Sequence, residues 1–255
     1  MTAPLDAMPA HYADPDLVEL YDLDGRKADE ASFYPVVVGA TPLRVLEAGC
    51  GTGWLAHELA RHGHRVTGLD PAANMLAVAR AKAGADAIAW IEADMRAFEL
   101  PERFDVIVLT GHAFQVLFTD DDIALALACF AKHLAPGGRL MFETRNPLAK
   151  EWLSWTRERT STMLQHPSLG PVEVCWLGRL SRDPELVVVD GHFHFLRSGV
   201  HKVSNSLLRF APQATLQRLL QDAGLGAQTW HGGWDKCPVR PTSPELIVVA
   251  QRSRG

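Results

Sequence analysis

Little in this chain suggests a metal cluster, a membrane span or a surface for polyanions. Four of its 255 residues are cysteine (Cys50, Cys129, Cys175 and Cys237), widely separated and with no C-x-x-C pair. A disulfide framework or a cysteine-ligated metal is not expected, and a cytoplasmic setting is. No stretch approaches the ~18 uninterrupted apolar residues of a membrane helix, and the N-terminal segment MTAPLDAMPAHYADPDLVEL has no Lys or Arg, unlike a signal or transit peptide. Positive charge is short as well: 25 Lys+Arg against 30 Asp+Glu give a formal net charge of −5. That leaves no surplus for gripping phosphate backbones, so neither a nucleic acid nor a membrane is expected as a partner.

Apolar residues are plentiful. At 47% hydrophobic, a chain of this length can bury roughly 70–75% of its unfolded surface, in one large domain or one domain with an inserted subdomain. From residue 43 onward, β-branched runs alternate with alanine-rich helical stretches, the pattern of a parallel sheet between helices. Strands are expected at 43–48, 65–70, 87–93, 104–110 and 139–145, and helices at 54–62 and from Pro71 to about residue 83. Thr119 and Asp122 form a capping-box pattern ahead of a helix whose Ile123, Leu127, Phe130 and Leu134 share a face, stopped by Pro136-Gly137-Gly138. Residues 150–210 break the rhythm. Three period-two stretches with Asp-Pro and Ser-Gly at their turns read as an inserted antiparallel meander. A helix from Pro212 to Gly224 and strands in GAQTWHGGW and ELIVVAQR complete the chain.

The most informative segment is Val45-Leu46-Glu47-Ala48-Gly49-Cys50-Gly51-Thr52-Gly53. A strand running through three alternating glycines into a helix lets backbone approach a ligand where a Cβ would collide, and aims free N–H groups at it. The next strand ends in Asp70, placed to accept hydrogen bonds from both ribose hydroxyls of an adenosine. A dinucleotide fingerprint wants its third glycine at the sixth position, which is Trp54 here, so the spacing favours an adenosyl ligand without a diphosphate.

These residues resemble the class I S-adenosylmethionine-dependent methyltransferases. The resemblance covers 43–147 and runs through VLEAGCGTG, VTGLDPAANML, IEADMRAF, FDVIVLTGHAFQVL and LAPGGRLMFETRNP, the first two being the most specific. It implies an α/β fold: a Rossmann-like, mostly parallel seven-stranded sheet with helices on both faces, here with an antiparallel meander inserted after the fifth strand. By resemblance, Gly49, Gly51 and Gly53 line the methionine and ribose part of S-adenosylmethionine, Glu47 organises its ammonium, and Asp70 holds the ribose. Asp94 meets the adenine amino group, Met95 offers its backbone N–H, and Met75 packs on the ring or is plain core. Cys50, Pro71 and Thr110 of the same motifs are implied as further cofactor contacts, and Tyr21 is a candidate to line the cofactor pocket.

Methyl transfer from a sulfonium is an in-line displacement, which chiefly requires donor and acceptor atoms held within roughly 3–3.5 Å. No carboxylate cluster demands a metal, and none is expected. The fourth motif reads Thr110-Gly111-His112-Ala113-Phe114, without the Asn/Asp-Pro-Pro-aromatic tetrad of enzymes of this fold that act on bases or glutamine. His112 is the candidate catalytic base, or else it shapes the pocket. Arg145, Trp152, Trp155, Trp234 and Asp235 fall just beyond strand ends and are candidates for the acceptor site. Four segments are expected: an N-terminal helical flap over the active site (1–40, with Tyr12, Tyr21, Phe33 and Tyr34), a cofactor-binding core (41–149), the inserted sheet as acceptor cover (150–210), and the rest of the core sheet (211–255). In His192-Phe193-His194-Phe195, alternation puts both imidazoles on one face, a geometry able to ligate a metal. With no third ligand evident, the favoured reading has the phenylalanines packed inward. The expected activity is methylation of nitrogen on a small molecule by a monomer or homodimer. O-methylation with His112 as base and a non-catalytic cofactor-binding module are the alternatives.

Overall fold

The computed structural model of the chain describes residues 8–23 and 28–252. The expected N-terminal flap is therefore only partly on view: residues 1–7 and 24–27 lie outside the described residues. Its described part contains α1 (Ala10–Ala13), α2 (Pro15–Leu20), a 3-10 turn at Tyr21–Leu23, and α3 (Ala28–Val38). Asp14 caps α2, its carboxylate accepting from the N–H groups of Asp16 and Leu17 at 3.0 and 3.4 Å, with Pro15 in the first turn.

The core alternates β1 (Arg44–Ala48), α4 (Trp54–Arg61), β2 (Arg65–Asp70), α5 (Ala73–Ala81), β3 (Ala89–Glu92), β4 (Phe104–Leu109), α6 (Asp120–His133) and β5 (Leu134–Arg145). After the insertion come α8 (Gln213–Asp222), β10 (Ala227–His231) and β11 (Glu245–Gln251). Seven strands form one sheet in the order β10-β11-β5-β4-β1-β2-β3. β3, β2, β1, β4 and β5 are parallel, and β11 runs antiparallel to both β5 and β10. Strand order reverses between β1 and β4, and a doubly wound sheet binds ligands beyond the carboxyl ends of its strands at such a point. Alternation gives the sheet two apolar faces. Leu46, Ile107 and Leu109 pack with Ile123, Leu127 and Phe130 of α6 and Leu216 and Leu220 of α8. Val45, Val66, Val106 and Val108 pack with Leu55 and Leu59 of α4 and with Phe33 and Tyr34 of α3.

The capping box forms as expected: Thr119 Oγ1 accepts from Asp122 N–H at 3.0 Å, and Asp122 Oδ2 accepts from Thr119 N–H at 3.1 Å. The end of α6 differs. The helix stops at His133, and Leu134, expected on its apolar face, is already extended and opens β5 opposite Phe104. Pro136-Gly137-Gly138 therefore lies inside an irregular strand start. Gly138 is there because a Cβ would sit 2.9 Å from the Ala135 carbonyl and 3.0 Å from that of Phe104.

The insertion is a second sheet of four strands, β6 (Thr162–His166), β7 (Gly170–Leu180), β8 (Leu186–Phe195) and β9 (Val200–Arg209), paired antiparallel in chain order and preceded by the single-turn helix α7 (Arg157–Thr160). Sequence periodicity finds β7, β8 and β9 but not β6, an edge strand in which only Leu164 is buried, so no alternation marks it. Phe193 and Phe195 pack inward against Leu17 and Leu20 of α2. No described helix is long and apolar enough to cross a membrane.

Candidate active site

The glycine loop follows β1 directly. Gly49, Gly51 and Gly53 have φ of 73°, 52° and 73°, in the left-handed region that side chains with a Cβ avoid. The N–H groups of Gly49 and Cys50 donate to the Leu69 carbonyl at 2.7 and 3.0 Å, stitching the loop to the tip of β2. There the Asp70 carboxylate accepts from Gly51 N–H at 2.7 Å through Oδ2 and from Ala72 N–H at 2.8 Å through Oδ1. Burial pushes the Asp70 carboxyl above its ordinary range, and the two amides pull it back. Each oxygen retains accepting capacity for a ligand.

The three glycines serve different ends. A Cβ on Gly51 would meet nothing closer than Met75 Cε at 3.7 Å and Tyr21 Cε1 at 3.9 Å, so its face is open. A Cβ on Gly49 would lie 2.7 Å from Ala113 Cβ. At Gly53 it would lie 2.3 Å from the Trp90 ring, which packs across the start of α4.

In front of the loop is a cavity of about 990 Å³. Tyr21, Gly49, Gly51, Asp70, Pro71, Met75, Asp94, Met95 and Thr110 line it, together with Tyr12. Three other residues assigned to the cofactor by resemblance do not. Gly53 is taken up by Trp90, Cys50 is a buried thiol with its pKa pushed up by burial, and Glu47 is buried with Oε1 accepting from the Thr110 hydroxyl at 3.2 Å. Asp94 is clamped by Arg96 at 2.6 Å, which also reaches Asp122 at 2.6 Å, and the guanidinium holds the Asp94 carboxyl below its ordinary range. The opposite wall comes from the inserted sheet and includes Arg179, Asp183, Val188, Asp190 and Asn205. The meander was expected to face the site, but these particular residues were not singled out. Period two groups Leu186, Val188 and Asp190 on one face of β8, yet only tertiary structure shows that this face meets the cavity.

The N-terminal helices bridge the two walls. Asp22 pairs with Lys82 at 2.6 Å and accepts from the Thr52 hydroxyl at 2.6 Å, beside the glycine loop. Lys202 of β9 pairs with Asp14 and Asp16, both at 2.7 Å, and His11 N–H donates to Ser204 Oγ at 3.0 Å. Tyr12 and Tyr21 then hang beside Asp70, their centroids 6.2 Å apart. Burial and the Asp70 charge push the Tyr12 hydroxyl to about 12; burial and Tyr12 push the Tyr21 hydroxyl well above its ordinary value. Both remain protonated donors at neutral pH.

His112 is elsewhere. It takes a left-handed turn (φ 59°), its N–H donates to Glu143 Oε1 at 2.7 Å, and Nε2 lies 3.0 and 3.1 Å from the two Glu245 oxygens. Burial and Arg145 lower its pKa against the opposing pull of Glu245. It does not line the cavity. Tyr34 donates to the other oxygen of Glu143, so the imidazole belongs to a buried network behind the cavity wall. The five acceptor candidates, Arg145, Trp152, Trp155, Trp234 and Asp235, are likewise absent from the lining. Arg145 donates to Gln115 at 2.7 Å, pairs with Glu151 at 3.1 Å and stacks over Trp155 at 5.0 Å. Trp152 stands edge-on to Phe210 at 4.7 Å, and Trp234 packs on Phe33 and Tyr34 at 5.5 and 6.0 Å. Proximity to strand ends was too coarse a guide, because aromatic and cationic side chains there also close the core.

Residues 45–138 match a family model described as a methyltransferase domain. A ubiquinone biosynthesis O-methyltransferase of Serratia proteamaculans is 37% identical over 113 residues, 43% of this chain and 45% of that protein. The chain thus spans less than half the length of the curated relatives it matches. The sugar N-methyltransferase KedS8 of a Streptoalloteichus species superposes with a TM-score of 0.74 at 20% identity, over 99% of this chain and 97% of that one. CalS10, an amino pentose methyltransferase of Micromonospora echinaspora solved with S-adenosylmethionine bound, superposes with a TM-score of 0.66 at 25% identity, over 91% and 94%. Residues 45–138 thus match a methyltransferase domain, on a fold shared with the S-adenosylmethionine-bound CalS10.

Proposed function

We propose that this chain moves the sulfonium methyl of S-adenosylmethionine to a nitrogen of a small molecule and releases S-adenosylhomocysteine. The observation that carries the reading is Asp70: a carboxylate fixed by two main-chain amides, beside the open face of Gly51, at the reversal point of the sheet. Asp70 would take the ribose hydroxyls, Met75 and Met95 the adenine faces, and Asp94 the adenine amino group. The Gly49–Gly51 backbone would pass along the methionine portion, with Tyr21 above it. Residues 1–40 act as the flap on a core of 41–149 and 211–255, and 150–210 cover the acceptor.

In the transfer, the acceptor lone pair forms a bond to the methyl carbon as the carbon–sulfur bond breaks and sulfur keeps its electrons. The nitrogen then sheds a proton to solvent. The protein supplies alignment and exclusion of water, which fits a cavity walled by a sheet and two half-buried tyrosines. Nitrogen is favoured over oxygen because an amine needs no strong base and no histidine lines the cavity among the described residues. On the inserted wall Asp190 already accepts from Asn205 at 2.6 Å and faces Arg179 at 3.7 Å, so the Asp183 carboxylate is the one that suits a basic acceptor. The sugar N-methyltransferase and amino pentose methyltransferase among the similar structures support the same choice, whereas the curated O-methyltransferase keeps an oxygen acceptor as the second reading. Labelled S-adenosylmethionine, a metabolite extract and mass spectrometry of the product test it. A methyl ether instead of a methylamine would select the second reading; donor binding without turnover would indicate a binding module.

A further inference from the structure

The cavity-facing side of the inserted sheet continues beyond the cavity. Alternation puts Val188, Asp190, His192 and His194 of β8 on one face, and pairing sets Leu207, Asn205, Val203 and His201 of β9 opposite them in turn. The first two of these cross-strand pairs line the cavity. The next two carry three imidazoles, the first roughly 7 Å along the strand from Asp190.

Sequence alone offered His192 and His194 without a third partner. The third arrives from the neighbouring strand: His201 lies directly opposite His194 and diagonal to His192. Nδ1 of His192 is 3.2 Å from Nε2 of His201, with the two ring planes within 9° and the centroids 5.3 Å apart. The centroid separation exceeds the nitrogen separation by about two ring radii, so the rings meet edge to edge with nitrogens facing. At least one of those nitrogens must be an unprotonated acceptor. Two imidazoles on one ion, each with a metal–nitrogen bond of about 2.0–2.1 Å at a tetrahedral angle, stand roughly 3.3–3.4 Å apart, close to the spacing already present. His194 stands edge-on to His201 at 6.3 Å between centroids and is exposed; its nitrogens are not yet within reach of an ion shared by the pair, so the site requires its ring to turn toward them. Its Nδ1 is 4.0 Å from Glu173 Oε2, and a carboxylate behind the far nitrogen is the usual support of a metal-bound imidazole. An all-nitrogen donor set suits zinc, nickel or copper and not magnesium or calcium.

We propose that His192, His194 and His201 form a binding site for a zinc-class divalent ion, with solvent water as the fourth ligand. The ion would clip β8 to β9 next to the residues that wall the acceptor cavity, without entering the methyl transfer.

Calorimetric titration of the untagged full chain with Zn²⁺ tests the site. The expected result is one ion per chain, with affinity falling at least tenfold in His201→Ala and in His192→Ala. Zinc should also shield His192, His194 and His201 of the unmutated protein from acylation by diethyl pyrocarbonate, read by peptide mass spectrometry, so the outcome does not depend on the variants folding. Absence of binding overturns the proposal. So does undiminished binding in the His192→Ala/His201→Ala double variant, which would move the ion to Glu30, His112 and Glu143, the buried group whose ligand atoms lie within 4.8 Å of one another.

Discussion

Replacing Asp70 separates its two roles. In the folded chain its carboxylate accepts two main-chain hydrogen bonds, at 2.7 and 2.8 Å, and is 8% exposed. Hydrogen bonds to a charged acceptor contribute about 1.5–3 kcal/mol each, but the cost of burying the charge offsets part of this, and water from the cavity can reach the freed amides of Gly51 and Ala72. Asp70→Ala should therefore lower stability by about 1–3 kcal/mol, at roughly 2–4 °C in Tm per kcal/mol for a chain of this size. Loss of the ribose contacts should separately weaken S-adenosylmethionine and S-adenosylhomocysteine by about 1–3 kcal/mol, roughly 5- to 150-fold in Kd. Asp70→Asn keeps the shape but turns an NH₂ toward one of the two amides, so it should lose most of the same affinity. Thermal melts without ligand and calorimetry with both ligands measure the two effects independently. A variant with a lowered Tm whose donor affinity stays within twofold of the parent would refute the ribose assignment while leaving the loop geometry intact.

Three further outcomes follow from local geometry. Gly53→Ala puts a methyl 2.3 Å from the Trp90 ring at φ 73° and should destabilise by about 2–4 kcal/mol in urea unfolding; a loss under 0.5 kcal/mol would mean that Trp90 moves aside freely. Asp190→Ala and Asn205→Ala should raise KM for the acceptor several-fold without changing the Kd of S-adenosylmethionine, and an equal loss for both ligands would contradict their place on the acceptor wall. Glu143 has its carboxyl raised from 4.5 to about 8, first by burial and then by Glu30. Between those values the folded chain keeps a proton that the unfolded chain has lost, so this contribution is full below the lower value and falls as pH rises to the upper one, by on the order of 1 kcal/mol per unit. Glu143→Gln should flatten that decline in urea-unfolding free energies measured from pH 5 to 8, and parallel curves for parent and variant would argue against a protonated Glu143.

The legible parts of the sequence were those where a local rule and the tertiary environment agree. Asp70, Gly49 and Gly51 stand at the strand tip and in the tight left-handed loop where the motif spacing put them, because few residue types fit there, and the capping box formed because both of its members are local. Leu134 misled because a helical face and the first residue of a buried strand make the same apolar demand, so period alone could not say where α6 yields to β5. His112 misled for a different reason. Its position in the fourth motif is close to the cavity in sequence, but a left-handed turn commits its N–H to Glu143 and its ring to Glu245, a residue 133 positions away. Arg145, Trp152 and Trp234 have the chemistry of ligand contacts and are absorbed by partners that no local pattern reveals.

On the proposed function, donor and acceptor recognition rest on different kinds of structure. The donor end is main chain: φ values that glycine permits, amides fixed on a carboxylate, and a strand order that leaves a crevice. The fold that carries it tolerates wide variation in side chains, in keeping with superposition over nearly the whole chain at 20% identity. The proposed acceptor end is side chain: Arg179, Asp190 and Asn205 on one face of a small antiparallel sheet, whose register decides which residues are presented, with Asp183 in the turn between its second and third strands. A one-residue slip would exchange that face for Val187, Val189 and Phe193. What pins the register is the opposite face, where Phe193 and Phe195 pack on Leu17 and Leu20 of the N-terminal helices while Lys202 holds Asp14 and Asp16. The helices that place Tyr12 and Tyr21 over the donor side thus also set the acceptor wall, so loosening their contact with β8 and β9 would disturb both ends of the cavity together.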